Sequence, residues 1–295
     1  MKIGELSAIG AALCWTINGM FLESSGKKLG LGPVNFLRLV FGLAFISVFL
    51  KLTTGTFLPV GLGLTSWTYL SISGIIGFFI GDYFLIKSML LIGPRMSMLM
   101  MSLSPPMAAI FDYIIYQTII TPLKLLGMLI TLTGVAVVIT GKSEKGITIG
   151  AEQKTGILYG ALGALGQAGG LMFSKIGMGS SNPFAATWIR IIAAIIIFLV
   201  IMVLTRDFTK ITTALEFPRE IWKVVMAGLT GPFIGVGLSL LALQYTQAGI
   251  ASTLSSIMPI TILPFSVIIY KERIRLIEIF GTILSVVGIG ILFLM

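Results

Sequence analysis

The 295-residue chain has no histidine and a single cysteine, Cys14. An intrachain disulfide is therefore impossible, and a zinc site built from Cys and His cannot form. Imidazole is missing as a general base or proton shuttle. Charge is scarce too. Asp, Glu, Lys and Arg make up 11% of the chain, against about 25% in a soluble domain, too little to cover a water-facing surface. No Gly-x-x-x-x-Gly-Lys-Ser/Thr phosphate loop occurs. No cofactor and no metal are expected.

Apolar residues fill the space. They form 56% of the sequence, with a mean hydropathy of +1.05, and they recur in runs long enough to cross a roughly 30 Å hydrocarbon layer. Ten such runs are legible, at about 6–22, 34–51, 67–91, 95–117, 122–140, 155–175, 184–204, 221–244, 248–269 and 276–294. The expected fold is an all-α integral membrane protein with ten transmembrane helices. A β-barrel would show alternating polar and apolar residues in segments of about ten, and these do not occur. The longest connections, 52–66, 141–154 and 205–220, are too short for a separate domain. The start, MKIGELSAIGAALCW, lacks a basic leader and a small-residue cleavage site, so it reads as a first membrane helix. The net charge of +9 is read as loop cations that fix orientation rather than as a nucleic-acid surface.

The stretch GIIGFFIGDYFLIK at 74–87 returns as GLTGPFIGVGLSLL at 228–241, without its two charges. At this constant offset Phe79-Ile80-Gly81 matches Phe233-Ile234-Gly235, Pro105 matches Pro259, and Gly127 and Gly134 match Gly281 and Gly288. Thirteen positions agree between 74–136 and 228–290, more than so biased a composition gives by chance, so the chain reads as a duplication. The halves are 1–141 and 155–295, joined by a 142–154 linker. Five spans per half is an odd number, so the second half enters the membrane in the opposite sense. Such inverted five-helix repeats are a common architecture of carriers that work by alternating access.

Ala11-Ala12-Leu13-Cys14-Trp15 resembles the opening of the ten-span EamA-type members of the drug/metabolite transporter superfamily. Pro33 followed by Arg38, echoed by Pro183 and Arg190, is similar to the entry into the second span of each half. Tyr270-Lys271-Glu272 with Gly281 and Gly288 resembles the family's close, although Lys271 stands where the family has Gly. In the first half, Gln117-Thr118 stands where an acidic residue is expected. The resemblance implies a bundle around a central cavity in a multi-pass protein of the prokaryotic inner or plasma membrane. It implies export or exchange of amino acids or other small metabolites.

The charged residues are each open to two readings. Asp82 is central in its span, where a charge normally faces a cavity or a partner. It is either a substrate contact or proton-coupling site, or one half of an ion pair with Arg38 or Lys87. Lys87 is a substrate contact, or its stem carries the ammonium to the interface. Asp112 is a proton relay or a structural hydrogen bond. Arg38 and Arg190 are substrate contacts or hold carbonyls and carboxylates near the interface. Trp15, Asn18 and Gln167 sit at matching depths of the two halves and are candidates for the cavity wall. The methionines of RMSMLMMSL (95–103) could supply a deformable part of it. Pro105 and Pro259 are expected to kink their spans as hinges. A membrane-embedded enzyme is disfavoured by the missing His and paired aspartates. A channel is disfavoured by the repeat.

Counting loop Lys and Arg puts four on the side of the termini and thirteen opposite, so charge alone places both termini outside. The resemblance implies cytoplasmic termini. A cysteine introduced into 141–154 and treated with an impermeant thiol reagent on intact cells separates the two. Charge counting expects it to be shielded, whereas the resemblance expects it to be labelled.

Overall fold

The computed structural model describes residues 3–117, 121–141, 150–205, 209–245, 254–255, 257–268, 271 and 274–294. Among these residues the chain is helical and has no strand. The first half contains α1 Ile3–Leu29, α2 Leu31–Thr54, α3 Leu64–Gly74, a π-helical segment Ile75–Gly81 and α4 Asp82–Met100. A 3-10 turn Met101–Leu103, α5 Ser104–Tyr116 and α6 Pro122–Gly141 follow. The second contains α7 Ala151–Met178, α8 Pro183–Thr205, α9 Thr209–Leu215, α10 Pro218–Gly228, a second π-helical segment Leu229–Gly235 and α11 Val236–Tyr245. It ends with α12 Met258–Ile268 and α13 Leu276–Leu294. The expected linker 205–220 thus carries a short helix. Residues 142–149 of the other linker, and 248–253, 256 and 269 of the expected ninth span, lie outside the described residues, as do Tyr270 and Glu272.

Among the described residues seven helical stretches are long and apolar enough to cross a bilayer, and α12 and part of α13 are shorter apolar helices. One of the seven, Leu64–Ile115, has 52 residues and would be about 78 Å long if straight. It is not straight. Gly93 has φ 81° and ψ 162°, and the hydroxyls of Ser88 and Ser97 on either side are 2.8 Å apart. Nine helical residues would separate them by about 13.5 Å along the axis, so the chain doubles back at Gly93. Gly30, between α1 and α2, has nearly the same conformation, φ 83° and ψ 164°. This region is essentially closed to residues with a Cβ.

The two π-helical segments occupy equivalent positions in the two halves. In each, the N–H after the segment reaches five residues back, Asp82 to the Gly77 carbonyl and Val236 to that of Gly231. Widening the turn presses a carbonyl against the closing glycine. A Cβ on Gly235 would lie 2.6 Å from the Thr230 oxygen, and one on Gly81 3.2 Å from that of Ile76. Side-chain amides from other helices also bond to carbonyls in and beside these segments. Asn35 Nδ2 donates to the Phe78 carbonyl at 3.2 Å and Gln167 Nε2 to that of Gly77 at 3.3 Å. Pro232 has no N–H for the Ala227 carbonyl, and Asn18 Nδ2 bonds it at 2.9 Å.

The halves interlock through glycine. The first helix of each packs on the third of the other, α1 on α10–α11 and α7 on α3–α4. Gly170 and Gly166 on α7 meet Gly77 and Gly81 so closely that added Cβ atoms would sit 2.9 and 2.6 Å from the opposing Cα atoms. The second helices cross over as well. Gly74 packs on the backbone of Arg190, and its counterpart Gly228 on the backbone of Arg38. Helices α6 and α13 run antiparallel, with Gly127 beside Gly288, Thr131 beside Ser285 and Gly134 beside Gly281.

Two substitutions test this geometry. Gly93→Ala should cost about 1–3 kcal/mol through backbone strain, read as a lowered thermal midpoint in detergent. Gly134→Leu should reduce the yield of folded protein more severely, because even a Cβ there lies 2.4 Å from the Ser285 nitrogen. An unchanged midpoint and yield would contradict both contacts.

Candidate functional site

A cavity of about 180 Å³ opens where the halves meet, room for a small organic solute and far too little for a polypeptide. Trp15, Asn18, Met89, Met98, Ser102 and Pro105 line it from the first half, and Gln167, Arg190, Val236, Ser239, Met258 and Pro259 from the second. Trp15 Nε1 donates to Ser239 Oγ across the seam at 3.4 Å. Asn18 Oδ1 and Ser102 Oγ are buried without a partner. The thioethers and apolar side chains leave most of the wall adaptable in shape.

The expected site residues divide into two groups. Trp15, Asn18, Gln167, Arg190, Pro105 and Pro259 come together on this wall. Pro105 lies in the first turn of α5, directly after the 3-10 turn, and Pro259 near the start of α12. Pro105 thus stands where a 3-10 turn interrupts a helical run that keeps right-handed dihedrals on both sides. Asp82 and Arg38, expected on the wall, stand behind it. Asp82 is 1% exposed and Arg38 fully buried, and an Arg38 Nη2 to Asp82 Oδ2 ion pair joins them. Arg38 Nε donates to Asn35 Oδ1 at 2.9 Å, and Gln167 Nε2 to Asp82 Oδ1 at 2.7 Å. One side chain, Gln167, thus separates the carboxylate from the cavity.

Lys87 and Asp112 are not part of the wall. The Lys87 ammonium lies over the rings of Tyr159 and Tyr83, 4.5 and 5.5 Å from their centroids. Asp112 Oδ1 accepts from Lys175 Nζ at 3.2 Å at a partly exposed site. Arg95, one of the thirteen cations that the charge count placed opposite the termini, is buried against Glu278, Nη1 to Oε2 2.5 Å. Sequence reasoning missed Ser102, Ser239, Met89 and Met258. Small hydroxyls and thioethers in apolar runs look the same whether they face lipid, a neighbouring helix or a cavity.

Arg190 differs from its counterpart Arg38. Its guanidinium stacks on Phe78, 4.6 Å from the ring centroid, in place of the carboxylate that Arg38 has, and its Nε, like Nη1 of Arg38, has no hydrogen-bond partner. The position in its own half that corresponds to Asp82 is Val236.

Comparison with known proteins explains the paired architecture. The EamA-like transporter family matches residues 2–140 and again 154–294. The chain belongs to this family. It is thus a multi-pass membrane transporter of the drug/metabolite kind, not an enzyme. An uncharacterized transporter of Archaeoglobus fulgidus is similar to this EamA-like chain, 22% identical over 98% of it and 97% of the relative. A protein of known crystal structure superposes with a TM-score of 0.67 over 99% of this chain and 96% of the other, at 17% identity. That likeness concerns the fold alone.

The Arg38–Asp82 pair can be tested by a double substitution. Asp82→Leu alone leaves the Arg38 charge buried without its partner and should cost about 3–5 kcal/mol. Arg38→Leu combined with Asp82→Leu should recover much of that in thermal denaturation of the detergent-solubilised protein. A double variant no more stable than the single one would mean that the two charges do not act as a pair.

Proposed function

We propose that this EamA-like chain is a secondary carrier that exports or exchanges amino acids or other small metabolites by alternating access. In this reading residues 1–141 and 155–295 are inverted five-helix repeats making ten crossings, joined by 142–154. Three observations support the architecture: the reversal at Gly93, the antiparallel pairing of the equivalent helices α6 and α13, and the π-helical segments at matching positions. The observation that carries the function is the composition of the cavity wall, which draws on both halves. Rocking one half against the other would then change access to the cavity while its wall residues stay in place. The 3-10 turn before Pro105 and the helix start at Pro259 are the proposed hinges.

Coupling to protons at Asp82 is the accompanying proposal. Its support is geometric, since Asp82 touches Gln167 and Gln167 touches the cavity. Asp112, partly exposed and paired with Lys175, is a weaker candidate for that role. Reconstitution into proteoliposomes with a mixed metabolite pool tests both ideas. The expected result is saturable uptake of at least one solute, accelerated by that solute on the other side and driven further by a pH gradient. Inertness toward the whole pool would refute the carrier. Uptake indifferent to the gradient would refute proton coupling alone.

A further inference from the structure

The duplicated scaffold supplies two arginines at equivalent depths, but only one carboxylate. Arg38 is held by Asp82 through a direct ion pair. Arg190 is 4% exposed and lies seven residues into α8, about 10 Å along the helix from its start. Where the repeat would place an acid for it, the chain has Val236, and Val236 itself lines the cavity. Arg190 is the one charged side chain among the described residues of that wall. Its Nε is unpartnered and its guanidinium rests on the Phe78 ring, a contact that holds the plane in place without neutralising it.

The buried charges of this region, Arg38, Asp82 and Arg190, therefore sum to one excess positive charge. Asp82 has both guanidiniums within electrostatic reach. It spends its two oxygens on Arg38 and Gln167. An uncompensated charge at membrane depth is costly, and a planar guanidinium is matched in geometry by a carboxylate. The rest of the wall adds the unpartnered Ser102 hydroxyl as a donor and an apolar, thioether-rich remainder, the donors of Gln167 and Ser239 being spent on Gly77, Asp82 and Gly235. No acidic side chain among the described residues of the wall is left to take an ammonium.

We infer that the cavity is an organic-anion site: a solute with one carboxylate and an apolar body binds with its carboxylate on Arg190, in the space beside Val236. The solute supplies the second half's missing counterpart of Asp82. This rests on the carrier reading, and it narrows the cargo from metabolites in general to monocarboxylates.

The test uses a matched series on one carbon skeleton: 4-methylpentanoate, its amide, leucine and 3-methylbutylamine. Binding to the purified full-length protein is followed by tryptophan fluorescence, with Trp15 on the cavity wall as reporter, and by thermal shift. Uptake is followed in proteoliposomes. The acid should bind best and the amine least, and Arg190→Gln should weaken the acid by about 10- to 100-fold, the weight of one charge-assisted contact. Arg190→Lys should retain part of the binding. Val236→Asp, which supplies the missing carboxylate internally, should abolish acid binding while keeping a wild-type thermal midpoint, so loss of binding is separable from misfolding. Equal binding across the series, preference for the amine, failure of the acid to bind, or full acid binding by Arg190→Gln overturns the inference. Binding of the acid without uptake of any member supports the anion site and refutes the carrier. Uptake confined to the amine or amide supports the carrier and overturns the anion site.

Discussion

The contact of glycine backbone against glycine backbone is the constraint on which the other features rest. In a membrane the hydrophobic effect does not draw helices together, so close packing and polar contacts must do it. Gly77 and Gly81 against Gly166 and Gly170 bring two main chains within reach of each other's carbonyls, and Ser73 Oγ donates to the Gly170 oxygen at 2.5 Å. Only at that separation can Gln167 reach both the Gly77 carbonyl and Asp82. The cavity begins where this seam opens, because Gln167 is part of both.

The π-helical segments extend the same logic. Backbone carbonyls in and beside these segments must be satisfied within the protein in lipid, and here Asn18, Asn35 and Gln167 bond to them from neighbouring helices. These amides are thus structural on one side. On the other, two of them, Asn18 and Gln167, face the cavity. A π-turn is a frequent companion of functional sites, and in this chain the reason is visible: it couples the shape of a helix to groups on the cavity wall.

Much of this was legible in the sequence, and the reasons for the exceptions are physical. The glycine rows at 74, 77 and 81 and at 228, 231 and 235 announced close packing, because residues without a side chain let two backbones approach most closely in lipid. Prolines and the repeated arginines were visible by their spacing. The depth of Trp15, Asn18 and Gln167 could be read from helix register, and the structure brings those three to one cavity. What could not be read was direction around a helix axis. A charge near mid-span must have a partner, but the sequence does not say whether that partner is a solute or Arg38. The π-turns were equally hidden. They shift every later side chain around the axis by a fraction of a turn, and no residue type marks them. Asp82, the first residue after one such turn, is displaced by that shift.

The pairing of α6 with α13 has a further implication. Gly127 lies against Gly288, Gly134 against Gly281, and Thr131 against its own counterpart Ser285. Each residue therefore meets the image of its partner, the signature of an isologous interface between two identical subunits. Each half of this chain carries a helix face complementary to the equivalent face of the other half. The two equivalent helices meet here running in opposite directions. The covalent chain is in this respect a homodimer with its subunits tied together. Once they are tied, the two sides of the interface are free to diverge, as Thr131 and Ser285 have done at its centre.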